Sequence, residues 1–362
     1  MLGSGLHQLP PVGTSSVHRK FMQVYKNLSP FLDVQGKTPK KVVSAPAHGG
    51  RRGSTMVAVF WLISVMALYI FTAIQLLDYE DRLVSGQVEG TRASQMAEMG
   101  VSVACNPVVE RSDYLLLEQQ FPGDVGFTAT IESEGSRFNI NSLLMNRGDG
   151  ADPDKALLRE MFVEWGAEDD FAQEVVDALV DWVDENELEE LNGAEFPFYE
   201  GEGFLNRPYN RPFYSLDEMR LVRGMEDLER IYPGWRDWFT IWSSGGLDVN
   251  EADPEKLARA AEVSIDDATS IRDRVLGPDM IRGTEDDQPF SNSREVLDLL
   301  GVPEIQRMIV EPRLTANDPT TRIESTGWSG LGGSQIKRRI TLIVRNRTGR
   351  PSILERKVEQ VP

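Results

Sequence analysis

The sequence predicts an α+β fold: a long N-terminal helix, an antiparallel sheet, and a large helical domain inserted between strands of that sheet. Three observations predict it. Residues 54–77 form an uncharged apolar run, and a helical pattern free of proline follows it up to Pro107. Strand-like stretches lie at the two ends of the remaining chain, at 125–132 and within 321–361. Between them, residues 143–315 repeat their apolar positions mostly at helical spacing.

The apolar run begins directly after Arg51-Arg52-Gly53 and stops at Asp78. At about 1.5 Å per residue it can cross the roughly 30 Å hydrocarbon core of a bilayer. Arg19, Lys20, Lys26, Lys37, Lys40, Lys41, Arg51 and Arg52 precede it, against the single acid Asp33. Positive flanks stay cytoplasmic, which puts the N-terminus inside and the bulk of the chain outside. The segment before the run carries +7 and the run carries none, so of the total charge of −19 the residues from 78 onward hold −26. Such a domain repels nucleic acid and anionic lipid and suits calcium or a basic partner surface. The run is too long for a secretory signal, and no small-x-small site follows Leu77. Its basic-Gly boundary is instead where a prepilin peptidase cuts, leaving the helix attached; a plain membrane anchor has the same hydrophobicity.

The helix is expected to continue through residues 78–109, with Leu83, Val88, Met96, Met99 and Val103 near helical spacing and Pro107 marking its end. A half-apolar, half-amphipathic helix before a compact domain is the plan of a type IV pilin-like subunit, and a helical stalk would show the same pattern. Strands are expected at 125–132, 321–328, 335–346 and 352–361, the last two flanking the turn Arg347-Thr348-Gly349-Arg350-Pro351. The sheet then occupies 120–142 and 320–362, with the helical domain, 143–315, inserted in it.

Most enzyme chemistry is excluded by what the chain lacks. Cys105 is the one cysteine, and His7, His18 and His48 all precede Gly53. If residues 1–53 are removed as a leader, neither a Ser–His–Asp or Cys–His site nor a His-based zinc site can be built. There is no G-x-x-x-x-G-K-[ST] loop, and the glycines from Gly327 to Gly333 lack the G-x-G-x-x-G spacing. A carboxylate-pair glycosidase is formally open because acids are plentiful. The reading is of a protein that is not an enzyme.

Several motifs, in order, carry a resemblance. They are Arg52-Gly53 before the apolar run, Ser136-Arg137-Phe138-Asn139-Ile140-Asn141, Asp181-Trp182-Val183-Asp184-Glu185-Asn186, Arg211-Pro212-Phe213-Tyr214-Ser215-Leu216-Asp217-Glu218-Met219 with Val222-Arg223-Gly224-Met225, and Leu247-Asp248-Val249-Asn250-Glu251-Ala252. With them residues 51–362 resemble the general secretion pathway protein K family, the largest minor pseudopilins of type II secretion systems. The resemblance implies cleavage after Gly53, methylation of Ser54, and a pilin-like sheet carrying a helical domain. It implies a single-pass inner-membrane protein whose periplasmic domain sits at the pseudopilus tip and supports protein export. Its implied partners are the I- and J-type minor pseudopilins, the major pseudopilin, the inner-membrane assembly platform and prepilin peptidase, with secreted substrates as further candidates. Ala58 stands at the fifth mature position, where most pilin-like subunits carry Glu. A membrane carboxylate needs a partner, and a subunit topping the fibre can dispense with it; an ordinary apolar anchor residue explains Ala58 equally.

The acidic motif after the helix-like stretch 170–183 is the best chemical signal. Calcium takes six to eight oxygens, and a loop clustering carboxylates, an amide and carbonyls supplies them. The resemblance likewise implies calcium in the helical domain, with Asp184, Asn186 and Glu195 among the ligands and Asp181 a further candidate. A solvated acidic helix end reads the same way. A second loop, from Gly277 to Asp287, offers Asp279, Asp286 and Asp287, and residues 149–154 form a third; hydrated turns account for both.

Residues 247–275 resemble a helix-hairpin-helix (SAM-like) scaffold. Its hairpin, Glu262-Val263-Ser264-Ile265-Asp266-Asp267, has no glycine and three acids, so it suits packing rather than DNA phosphate. Trp235, Trp238, Phe239 and Trp242 are spaced as on one helical face, the pattern of core packing or of a partner contact. Phe196, Phe198, Tyr199, Phe204, Tyr209, Phe213 and Tyr214 are expected to pin an ordered loop. The alternative functions are a minor subunit of another type IV pilus or DNA-uptake machine, and a membrane-anchored acidic binding protein.

Overall fold

A computed structural model describes residues 52–145, 152–331 and 334–361. The leader with its three histidines and residues 149–151 of the third acidic loop lie outside them. The chain divides into two compact units, 1–73 and 74–362. The described part of the first is the beginning of helix α1 (Arg52–Ala104), whose apolar side chains such as Met56, Trp61 and Phe71 are exposed, as lipid-facing residues are. α1 is long and apolar enough to cross a membrane.

In the second unit, α1 changes role. From Gly90 onward one face is buried, with Ala93, Ala97, Val101 and Ala104 at helical spacing. This face lies on a five-stranded antiparallel sheet ordered β1-β2-β7-β8-β9, formed by β1 (Glu118–Phe121), β2 (Val125–Ser133), β7 (Thr320–Leu331), β8 (Ser334–Arg345) and β9 (Ser352–Val361). β2 alternates buried and exposed residues, and the β2–β7 register runs from Val125 opposite Ser329 to Ser133 opposite Thr321. Phe127, Ala129, Ile131, Ile323, Ile340, Leu342 and Val344 form the core between sheet and helix.

Two glycines set the helix–sheet distance. A Cβ on Gly327 of β7 would stand 2.3 Å from both Ala93 O and Ala97 N, and one on Gly100 of α1 would stand 2.2 Å from Ser325 Oγ and 2.7 Å from Phe127 Cδ2. Helix backbone therefore lies directly on strand backbone. α1 ends at Ala104, earlier than residue 109, since Pro107 restricts the residue before it. Arg347, in the β8–β9 turn, donates from Nη1 to the carbonyls of Ala104 (3.0 Å), Asn106 (2.9 Å) and Val109 (3.1 Å), satisfying acceptors that a helix end leaves open.

Between β2 and β7 lies the inserted domain. Its main helices are α2 (Ile140–Met145), α3 (Pro153–Glu164), α4 (Asp169–Val183), α5 (Met225–Ile231), α6 (Pro254–Ala261), α7 (Ile265–Leu276), α8 (Ser293–Leu299) and α9 (Glu304–Val310). They enclose a separate core around Leu158, Met161, Phe162, Leu179, Trp182 and Trp235. Two parallel strand pairs, β3 (Phe138–Asn139) with β4 (Phe239–Thr240) and β5 (Leu247–Asp248) with β6 (Leu314–Thr315), tie distant segments of the insert together. Insert and sheet are joined by buried charge: Glu134 accepts from Arg322 at 2.5 Å and from Arg137 at 3.4 Å. Asp248 accepts from Asp318 N at 2.6 Å.

The predicted class is the observed one, with local differences. β1 was not anticipated, because Glu-Gln-Gln-Phe carries no apolar alternation. The aromatic stripe is not helical: Pro233–Asp237 is a 3-10 turn, Phe239 lies in β4, and Trp242 donates its Nε1 to Glu355 at 2.8 Å. Trp235 and Phe239 are nonetheless core residues. In the third acidic loop Asp154 is no hydrated turn residue: it is buried and bonded to Arg313 Nε at 2.6 Å.

The close helix–strand approach gives a first prediction. Gly327→Ala is expected to cost about 2 kcal/mol or more. Gly349→Ala, whose Cβ would meet nothing closer than 3.8 Å, is expected to stay within about 0.5 kcal/mol of the parent. Urea unfolding in detergent measures both.

Candidate metal centre

α4 brings Asp177, Asp181 and Asp184 to one face of its C-terminal turns, at spacings of four and three residues. Carboxylates at this end oppose the helix dipole, so the arrangement must be compensated by other contacts. For the first two the compensation is visible. Asp181 is fully buried and accepts from Glu190 N (3.1 Å) and Ala194 N (2.8 Å). Asp177 accepts from Gln173 Nε2 (2.8 Å) and from Asn192 N and Nδ2 (3.3 Å each). These two acids stitch the 186–195 loop back onto the helix. A Cβ on Gly193 would lie 1.8 Å from Asp181 Oδ2, so the loop closes only with glycine there. Asp184 caps α4 and accepts from Asn186 N at 3.3 Å, while Asn186 Oδ1 accepts from Leu188 N at 2.7 Å.

Glu195 differs from these. It is 2% exposed, and neither carboxylate oxygen has a well-formed hydrogen bond, the adjoining Phe196 N–H giving only a weak one. Burial, then the negative charges of Asp181, Asp184 and Glu187, push its pKa up to about 7. Asp181 is raised to about 6, mainly by burial, with its two backbone N–H partners pulling the other way. Asn210 supplies a third orphan oxygen. Its φ of 48° is left-handed, its Nδ2 faces Asn186 O (3.4 Å) and Glu187 Oε1 (3.3 Å), and its buried Oδ1 has no donor. Buried oxygens without donors are the acceptors a hard cation satisfies. Among the described residues no three Asp, Glu, His or Cys side chains gather into an ion-holding group. Glu195, which feels the charge of Glu187, and Asn210, whose Nδ2 bonds Glu187, are the side chains whose free oxygens could serve a calcium ion here, completed by carbonyl or water oxygens. Sequence reading did not find Asn210; its only signal is an Asn in a turn-forming stretch before Arg211-Pro212.

The aromatic residues of 196–214 frame this loop. Trp182 packs edge-on to Tyr199 (5.5 Å) and Tyr209 (5.1 Å) and donates Nε1 to Glu218 at 3.0 Å. Arg223 donates from Nη1 to Gly193 O at 2.8 Å.

In the second loop the three acids are neighbours, each already used locally. Asp286 accepts from Thr284 Oγ1 (2.8 Å) and Asp279 N (3.2 Å), and the first of these bonds leads in holding its pKa below the usual carboxylate range. Asp279 accepts from Ile281 N (2.8 Å) and Asp287 from Gly283 N (2.7 Å). One buried oxygen, Asp287 Oδ1, has no donor. The α6–α7 hairpin holds Glu262 in a left-handed turn, bonded to Arg313 at 2.9 Å.

Residues 136–233, which include the first loop, match a family model described as type II secretion system (T2SS), protein K. That match covers part of the helical insert and marks it as similar to protein K. The structure is similar to a chain in the crystal structure of the GspK–GspI–GspJ complex from the enterotoxigenic Escherichia coli type 2 secretion system. The TM-score is 0.54 and the identity 14%, over 79% of this chain and 99% of that one. No curated protein sequence matches the chain. At this level of identity the likeness carries the fold alone.

The raised carboxylates set the sign of a pH effect. Glu195 and Asp181 bind protons in the folded metal-free protein at pH values where an unfolded chain, with pKa near 4, has released them. Their contribution to stability is thus present at low pH and is lost as pH rises from about 4 through about 7. In EGTA the melting temperature is expected to fall more steeply between pH 5 and pH 8 for the parent than for Glu195→Gln, as read by thermal unfolding.

Proposed function

We propose that this chain is a K-type minor pseudopilin that caps the tip of a type II secretion pseudopilus, initiates its assembly and supports protein export. The carrying observation is the combination of an apolar, membrane-length helix packed onto a sheet with a large insert that matches protein K. Prepilin peptidase would cut after Gly53 and the new Ser54 amine would be methylated, with α1 as a single-pass inner-membrane anchor, N-terminus inside and the head periplasmic. The similar solved chain was crystallised with GspI and GspJ. By analogy, the partners proposed for this chain are I- and J-type minor pseudopilins, followed by the major pseudopilin and the assembly platform. Its role is structural, not enzymatic.

We further propose calcium as the ion of the first loop. Glu195 and Asn210 supply the orphan oxygens that support this reading; Asp181 lies in the last turn of α4, Asp184 caps that helix, and Asn186 follows in the loop. Calcium must displace the Glu195 proton, so affinity falls as pH drops below about 7. The Asp279–Asp287 loop is a second, weaker candidate.

Two outcomes are expected. Glu195→Gln and Asn210→Ala each weaken calcium binding at least about tenfold by calorimetry at neutral pH, whereas Asp279→Asn has a smaller effect; unchanged affinity in the first two removes the assignment. Co-expression with the host's I- and J-type pseudopilins yields one co-purifying complex, and failure to associate argues against the tip role.

A further inference from the structure

Outside the loops already described, the insert carries an open cleft of about 570 Å3. Trp165 at the end of α3, Tyr232 and Trp238 beside the 3-10 turn, and Val263 and Ile265 of the α6–α7 hairpin line it, with Glu164, Glu255 and Arg259 at its rim. Trp165 stacks on Tyr232 with centroids 4.7 Å apart, and Trp238 stands edge-on to Trp165 at 5.5 Å. Trp238 Nε1 donates to Tyr232 Oη at 3.2 Å, fixing the rings against each other. Unlike the wholly buried Trp182 and Trp235, these three rings remain half-buried, and Ile231 and Ile265 beside them are 42% and 47% exposed. A ring-walled recess in an apolar surround is a common form of a protein-docking site.

The charges select the partner. Glu164 is paired with Arg259, and Lys256 with Asp253 at 3.5 Å. Glu255 is exposed and has no hydrogen-bond or ion-pair partner among the described residues. These five groups leave one negative charge, on a head that is acidic throughout. Lys256 already places its Nζ 5.8 Å from the Trp238 centroid, so one cation already lies over this ring cluster. Aromatic walls with one unspent carboxylate fit a cation on a long apolar stem.

We propose that the cleft docks a protein segment that inserts an arginine or lysine side chain, its stem against Trp165 and Tyr232 and its charge at Glu255. The test is fluorescence anisotropy with the membrane-extracted protein in non-ionic detergent at about 0.15 M salt. The probes are a fluorescein-labelled Gly-Ser-Arg-Ser-Gly peptide and twins with citrulline or leucine in place of arginine. The arginine peptide is expected to bind roughly fivefold tighter than the citrulline peptide, as a cation–ring contact plus one carboxylate supplies. Glu255→Gln and Tyr232→Leu each remove that preference, while Glu118→Gln, on distant β1, leaves it unchanged. Glu255→Gln is a surface change and keeps the test decisive if Tyr232→Leu fails to fold. Equal binding of the arginine and citrulline peptides, tighter binding of leucine, or an equal loss on Glu118→Gln overturns the proposal.

Discussion

The contact on which the rest of the structure depends is the close approach of α1 to the sheet, backbone to backbone at Gly327 of β7 and against the Ser325 and Phe127 side chains at Gly100. It turns an apolar anchor helix into half of a core. Phe127, Ile131, Ile340 and Leu342 are buried because the helix face lies that close. Arg347 then closes the helix end from the β8–β9 turn, so the β8–β9 hairpin holds α1. Everything between β2 and β7 is an insertion into that frame, tied down through Glu134, Arg322 and Asp248.

The insert keeps a core of its own, and this separation explains how a charged loop can persist within it. Asp177 and Asp181 are spent on backbone donors of the 186–195 loop. Their hydrogen bonds hold the loop that buries Glu195 away from water with no well-formed hydrogen bond. An unpaired buried carboxylate is costly, and protonation or a cation are the two ways to relieve it. The same loop thus stores a local instability that a bound ion would convert into rigidity.

Much of this was legible in the sequence, for physical reasons. The apolar run announces itself by its length without a charge, and the helix ending at Val183 by its periodicity, since it buries one face continuously. β1 is polar and is a strand only because β2 offers it an edge. The aromatic stripe shares its spacing with a helix, yet Pro233, Gly234 and the parallel pairing of Phe239 with Phe138 draw the chain out of one. In the candidate site, Asp184, Asn186 and Glu195 are named from the resemblance together with the clustering of acids. That Asp181 is a structural acceptor, that Gly193 is sterically required, and that Asn210 turns an orphan oxygen inward all depend on tertiary folding-back that no local pattern carries.

The most direct test of a pilin-like frame anchored by α1 is the N-terminal residue and intact mass of the protein purified from its native membranes. The account predicts a chain beginning at N-methylated Ser54, with the apolar run still attached. An intact leader, or a chain beginning after Leu77, would contradict it.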